Sequence, residues 1–436
     1  MTPHRGNAGV RYAFRVLRHR DYAIFWSAAL VSNTGTWMQS IAAPYVLYQL
    51  TRSTAWLGIG AFMAFFPALL VSPLAGSLAD RFPRKTLLLW TQTAMMIAAF
   101  ALWGVYAAGA ATPGIIVGLL CLSGICSGLN ISAWQSFVPQ LVPREELLPA
   151  VRLNSMQFVG ARAFGPALAG LVLQAAGAGT AFFLNAVSFV LVLGALFLIR
   201  PRAVPIDADA GRVLAHFREA LDYVRARSAL LLPVITITIV SFFGSSVVQL
   251  TPAFAEDIFH VGKSGYGFLV SAFGLGAILG SFLVSVWGDR YPRSRVALGG
   301  LALFSAGELL FGGAPGYAVG LAAMATMGVA YLLIATALNT SIQARVDEVH
   351  RGRTMSIYLM GLLAGVPIGA LIQGYLADLI GLRTTVFVSA AALIVAGVIG
   401  ALRTDRYRPL DEALEDETGF GPDLVLDAPP TIASAD

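Results

Sequence analysis

The chain has 436 residues, 57% of them hydrophobic and 12% charged, with 45 glycines and a net charge of +5. A water-soluble domain carries roughly 25% charged residues, so this composition excludes one, and the lipid bilayer is the expected solvent. Juxtamembrane bases facing anionic lipid account for the positive balance without a nucleic-acid partner.

A helix needs about 20 mostly apolar residues to cross roughly 30 Å of hydrocarbon. Twelve runs qualify, near residues 22–46, 55–78, 87–108, 114–138, 153–176, 180–199, 230–254, 265–287, 296–314, 317–341, 355–377 and 382–402. Outer-membrane strands would alternate apolar and polar over about ten residues, whereas these runs are apolar at nearly every position, so helices are expected. The first run exceeds the roughly 7–15 residues of a signal-peptide core and is expected to stay. All but four of the 29 Lys and Arg fall in the amino-terminal arm, the even-numbered connections and the tail; the exceptions are Arg52, Lys263, Arg383 and Arg162. Bases are retained on the cytoplasmic side, which puts both termini there.

Residues 1–20 form a basic, glycine-interrupted arm expected at the lipid surface. The first span carries Asn33, Thr34, Thr36, Gln39 and Ser40 beside Trp37. Polar groups in hydrocarbon need partners, so this face is expected against other helices or a wet cavity, and the residues leave both open. The second span brings Phe62, Phe65 and Phe66 and runs into Gly76-Ser77-Leu78-Ala79-Asp80-Arg81-Phe82-Pro83-Arg84-Lys85. Gly76 permits close helix approach; Arg81, Arg84 and Lys85 hold the turn inside; Asp80 can sit against the positive N-terminal end of a neighbouring helix. A topological signal explains the bases but not the acid. Trp287-Gly288-Asp289-Arg290-Tyr291-Pro292-Arg293-Ser294-Arg295 repeats the order Asp-Arg-aromatic-Pro-Arg between two later spans. The recurrence favours a latch at Asp80 and Asp289 and implies a duplicated bundle.

The fourth span holds Cys121, Cys126, Asn130, Ser132, Trp134 and Gln135. The cysteines, five apart, point in different directions on a helix and support neither a disulfide nor a metal site. Pro139 to Leu147 reads as a short helix start with Glu145 and Glu146 in its first turn. In the fifth span Arg162 lies roughly 15 Å along the helix at 1.5 Å per residue, near the membrane midplane, where a guanidinium is costly unless paired or hydrated. It is a site candidate, with a structural bond to helix ends as the alternative. Residues 201–229 form a linker in which Val213, Leu214, Phe217, Leu221 and Val224 recur at helical spacing among charges, an amphipathic surface helix. In the eleventh span Gly361 and Pro367 repeat the separation of Gly160 and Pro166, and Arg353 matches Arg152, while Arg162 maps to Leu363. Such diverged repeats are common in transporters. Glu308, among leucines and glycines of the ninth span, either exchanges protons or is a buried structural acid. Residues 403–436 are acidic beyond their first bases and expected to be disordered.

The Gly76 to Lys85 stretch is similar to the signature loop of the major facilitator superfamily, and Trp287 to Arg295 occupies its pseudo-repeat. Ser32-Asn33-Thr34-Gly35-Thr36-Trp37-Met38-Gln39, Leu50-Thr51-Arg52-Ser53, Val142-Pro143-Arg144-Glu145-Glu146-Leu147 and Arg351-Gly352-Arg353 resemble the branch of enterobactin-type siderophore exporters and macrolide efflux proteins. The resemblance covers about residues 12–408. It implies an all-α integral membrane fold of twelve helices in two pseudo-symmetric six-helix bundles, alternating access around a central cavity, and lining by the first, fourth, seventh and tenth spans. The third, sixth, ninth and twelfth would face lipid. Two departures stand out: Gly124 occupies the place of the fourth-span arginine usual in drug:proton antiporters, and the fifth-span antiporter signature is met only by Gly165-Pro166 and Ala169-Gly170.

The expected organisation is an arm (1–20), a first bundle (21–200), a linker (201–229), a second bundle (230–402) and a tail (403–436). The expected function is proton-coupled export of an amphipathic drug, macrolide or siderophore-like molecule across the cytoplasmic membrane by a monomer. An importer on the same fold and a non-transporting receptor are the alternatives. The latch would use Gly76, Asp80, Arg81, Arg84, Asp289, Arg290 and Arg293; substrate or proton candidates are Asn33, Trp37, Gln39, Asn130, Gln135, Arg162, Gln249, Glu308 and Asn339. No Gly-x-x-x-x-Gly-Lys-Ser/Thr run suggests ATP coupling, no histidine cluster or paired carboxylates suggest a metal site or an enzyme, and no cofactor is expected.

Overall fold

The computed structural model describes residues 15–201, 213–287, 290–347 and 350–402; Asp289, the first part of the arm, residues 202–212 of the linker and the tail lie outside them. Helices α1 (Arg20–Thr51), α2 (Thr54–Arg81), α3 (Arg84–Ala107), α4 (Pro113–Phe137) and α5 (Leu147–Leu198) make the first half. The linker helix α6 (Val213–Ala226) follows. The second half contains α7 (228–258), α8 (Gly262–Trp287), α9 (Arg293–Gly313), α10 (Tyr317–Gln343), α11 (Arg351–Ile380) and α12 (Leu382–Leu402). Ten stretches of the described residues are long and apolar enough to cross a membrane. The polar string of the first span keeps α1 out of that set, and the fifth and sixth spans share one stretch. They run on as α5 because the break between them is confined to Gly177, whose φ of 80° glycine adopts without a Cβ clash.

Three local stretches add detail to the expected elements. The end of the arm, a 3₁₀ turn at Arg15–Arg18, is anchored on the first half: Val16 is fully buried with Phe25 and Phe137, and His19 meets Glu146 at 2.7 Å. Pro139 to Leu147 is a helix start as expected, made of two 3₁₀ turns, Val138–Gln140 and Arg144–Glu146, the second carrying Glu145 and Glu146 and running directly into α5 at Leu147. The seventh span is not a uniform helix. It passes from α-helix (Ser228–Ile239) to a π turn (Val240–Gly244), a 3₁₀ turn (Ser245–Leu250), one α turn (Thr251–Ala253) and a second π turn (Phe254–Ile258). Gln373 of α11 serves the disturbed ladder, donating to the Phe242 and Phe243 carbonyls at 3.0 and 2.9 Å.

Within the first half α1 packs on α5, α2 on α4, and α3 on both α4 and α5; within the second α10 packs on α8 and α9, α12 on α9, and α11 on α7. The halves meet along α2 with α11 and α5 with α8. Both seams are glycine contacts. A Cβ on Gly374 would lie 2.5 Å from the Thr54 carbonyl oxygen, and one on Gly267 2.6 Å from that of Pro166. Without a hydrophobic drive between helices in lipid, such close backbone approach is what generates dispersion energy. The linker helix docks on the second half: Glu219 pairs with Arg353 at 2.9 Å, Tyr223 donates to Asp347 at 2.8 Å and stacks on His350 with centroids 4.1 Å apart.

These seams give a stability test. Gly374→Leu overpacks α2 against α11 and should cost about 1–3 kcal/mol, read as a fall in melting temperature of the detergent-purified protein. Gly104→Ala, whose Cβ would meet nothing within 4 Å, should be neutral or stabilise by up to about 1 kcal/mol. Equal losses at the two sites would refute the seam.

Candidate functional site

At the expected outer end, α1 stops at Arg52, whose backbone is left-handed (φ 49°) and whose N–H caps the Tyr48 carbonyl. The last turns of α1 thereby present Tyr45, Tyr48 and Gln49 toward the end of α7. Tyr45 donates to Glu256 at 2.6 Å, Tyr48 donates to Asp257, and Gln49 donates to the Tyr45 hydroxyl at 3.0 Å. Arg52 lies 3.8 Å from Glu256 and 3.7 Å from Asp257. A hydrogen bond to a charged group contributes about 1.5–3 kcal/mol net, while an exposed ion pair gives about 0–1. With Arg52 58% exposed, the phenols rather than the guanidinium carry this contact.

A second carboxylate ties the halves beside it. Asp378, near the end of α11, accepts from the Thr54 and Ala55 N–H groups at 2.7 and 3.1 Å and from the Ser53 and Thr54 hydroxyls. It therefore caps α2 from the opposite half, filling orphan donors at a positive helix end. The sequence reading missed Tyr45, Tyr48, Glu256, Asp257 and Asp378. Its one available signal was Arg52, a rare base on the outer side. Arg383, another, donates to the Gly312 and Ala314 carbonyls at 2.8 and 2.9 Å and closes the end of α9.

The residues singled out from sequence separate into several places. Asn130 accepts from Thr91 at 2.9 Å and Gln92 at 3.2 Å, and Gln39 accepts from Asn185 at 2.7 Å, so both are engaged within the first half. Trp37 is half-buried against Gly165 of α5. Asn33 is half-buried, its amide nitrogen enclosed without a partner among the described residues. Gln135 is exposed, Gln249 half-buried, and Asn339 accepts from Gln343 one turn on. Gly76, Asp80, Arg81 and Arg162 sit on helical backbone, and their side chains lie outside the described set. Arg84 and Arg293 are half-buried and Arg290 exposed. Glu308 is fully buried in the second half, with neither oxygen partnered among the described residues. Arg162 and Glu308 thus stand on different halves. Gly124 packs so tightly on α2 that a Cβ would lie 2.5 Å from the Ala64 carbonyl oxygen; no arginine fits there. A cavity of about 550 Å³ beside Trp103, Tyr106, Gly177 and Phe183 lies on the first half alone.

A family model described as transmembrane secretion effector matches residues 12–425. The chain belongs to that family, within the major facilitator superfamily. Among its relatives, the staphyloferrin A transporter of Staphylococcus aureus is 23% identical over 368 residues, covering 83% of this chain and 90% of the relative. The multidrug efflux pump Tap of Mycobacterium tuberculosis is 24% identical over 398 residues, covering 88% and 94%. The enterobactin exporter EntS of Shigella flexneri is 25% identical over 392 residues, covering 87% and 91%. A solved bacterial homologue of the lysosomal transporter Spinster superposes with a TM-score of 0.70 at 16% identity, covering 91% of this chain and 99% of that one. Relatives and fold are those of membrane transporters, not enzymes.

For this superfamily member the tyrosine–carboxylate contacts are testable as couplings. In a background with Cys121 and Cys126 replaced by alanine, a cysteine at Met38, 8% exposed, should label slowly with a membrane-impermeant thiol reagent. Tyr45→Phe and Glu256→Gln should each speed labelling about tenfold or more, and the double variant should be little faster than either single one. Strict additivity would show that the two groups are not partners.

Proposed function

We propose that the chain exports an amphipathic small molecule, drug-like or siderophore-like, from the cytoplasm by alternating access driven by protons. The observation that carries this reading is the polar lock between α1 and α7 and between α11 and α2, at the end expected outside. Hydrogen bonds between helix ends can be exchanged for water, so such a seal is reversible in a way that a packed apolar seam is not. In this reading the structure is the outward-closed state of a cycle whose inward-closed state is latched by Asp80 and Asp289, with Gly76, Arg81, Arg84, Arg290 and Arg293 around them. Both termini are cytoplasmic, and the chain acts as a monomer of two bundles, 21–200 and 230–402, joined by the linker 201–229. Trp37, Gln135, Gln249 and Asn339 are the cavity candidates best placed to meet substrate, since none is enclosed; Asn33, Gln39 and Asn130 shape the walls behind them. Arg162 and Glu308 handle charge. Export, rather than import, is supported by relatives named as an efflux pump and an exporter.

The test is accumulation of fluorescent lipophilic cations, a macrolide and a catecholate siderophore in cells expressing the chain or its Asp80→Asn variant at equal membrane levels. The intact chain should lower accumulation of at least one compound several-fold, and both the variant and a protonophore should abolish the effect. Raised accumulation would make the chain an importer. An effect that survives the protonophore would remove the proton coupling.

A further inference from the structure

Glu308 has no role in the lock and no hydrogen-bond partner among the described residues. It belongs to α9, on the face that also carries Phe304 and Phe311, four residues before and three after it, positions that share one side of a helix. Both rings pack on α7. A Cβ on Gly244 would lie 2.6 Å from the Phe304 ring, and Phe311 meets Phe254 with centroids 4.5 Å apart. Glu308 is thus held between two aromatic contacts to the stretch of α7 that runs through 3₁₀ and π turns, with no exposed surface. That same stretch ends at Glu256 and Asp257, which the lock grips.

We propose that Glu308 is a proton-binding site whose occupancy licenses closure of the outer face. An ionised, unpartnered carboxylate sealed in a bundle costs several kcal/mol or more, so the closed state holds the neutral acid. Releasing the lock frees the end of α7, and moving that end lifts Gly244 and Phe254 away from Phe304 and Phe311, wetting Glu308 from outside. There the carboxyl gives its proton to water. The outer face closes again once a proton has returned to Glu308. The site rests on the transport reading above for its place in a cycle; exchange with the outer water alone gates the outer face and carries no net proton across the membrane.

The groups on elements packed against this face are Glu256 and Asp257 of α7, Tyr317 and Tyr331 of α10, and Arg383 of α12, with Arg293 and Arg295 at the far end of α9 itself. Arg383 is committed to the α9 carbonyls, Tyr317 donates to the Gly265 carbonyl, and the two acids accept from tyrosines. Their pH effects separate by sign. Protonating Glu256 or Asp257 weakens an acceptor of the lock, so acid opens the outer face through them. Through Glu308 acid closes it, and each unit of rising pH favours the open state by about tenfold.

The full chain, with both native cysteines replaced by alanine, is reconstituted in lipid nanodiscs and spin-labelled at Ala110→Cys and Lys263→Cys, in the outer turns of the two halves. The open-to-closed ratio, read from electron–electron distances, should rise about tenfold per pH unit between about pH 6 and 8. Glu308→Gln, which mimics the neutral acid, should abolish that slope, and Glu308→Asp should restore it. A slope unchanged in Glu308→Gln, or no slope in the parent, overturns the proposal. Infrared spectra of the parent protein supply a measurement without the variant: a protonated-carboxyl band at neutral pH, slow to exchange in deuterated water, is expected, and its absence equally overturns the proposal. Neither measurement uses a transported compound, so a chain that exports nothing yet keeps the slope refutes the export reading alone.

Discussion

Two phenols and two carboxylates hold the end of the first helix to the end of the seventh, and the relation of the two halves depends on that contact. The seams along α2 with α11 and α5 with α8 consist of backbone against backbone, with glycines where a Cβ would collide. Such seams are short-ranged and indifferent to small rotations about their own line. They let the halves touch, but they do not choose which end is closed. The choice falls to directional bonds at the ends. Tyr45, Tyr48 and Asp378 supply them, and each spans from one half to the other.

The two halves are repeats in backbone but not in chemistry, and the lock shows how far they have parted. At the offset that relates Arg152 to Arg353 and Pro166 to Pro367, Asp378 corresponds to Gly177. The acid caps the opposite half's helix, while the glycine merely turns the chain between two spans with φ at 80°. Among the described residues, one seam carries a carboxylate cap that its twin does not. Gly124 illustrates the same freedom in the opposite direction. At this position, where the resemblance to drug:proton antiporters implies an arginine, α4 rests directly on α2 and leaves no room for one.

The number and order of the helices were legible because hydrocarbon admits few ways to satisfy a backbone, and apolar runs of sufficient length have little choice but to be helical. The duplicated Asp-Arg-aromatic-Pro-Arg order made the two halves legible as well. What escaped had a common cause: partners distant in sequence. Tyr45 and Glu256 are 211 residues apart, and Thr54 and Asp378 are 324 apart, so no local pattern announces either pair. Gln39 belongs to the first-span face expected to need partners, with packing and cavity left open, and in the structure it accepts from Asn185; Asn130, singled out only as a substrate or proton candidate, accepts from Thr91 and Gln92. The irregular course of α7 was hidden for a different reason. Val240 to Leu250 contains no proline, and the wide turns register in the backbone rather than in composition.

That irregularity links the lock to the interior. A regular helix transmits a push along its axis as a rigid rod, whereas π and 3₁₀ turns leave some carbonyls poorly paired and make a local rearrangement cheaper. Gln373 bonds two of those carbonyls from α11, and the hydroxyls of Ser241 and Ser245 are buried without partners among the described residues. The helix is therefore held in its present course by side chains of its neighbours as much as by its own ladder. Release of Glu256 and Asp257 at its end changes the balance over the whole segment that covers Glu308. A single buried acid can then respond to the closing of a contact several turns away, because the element between them is already soft.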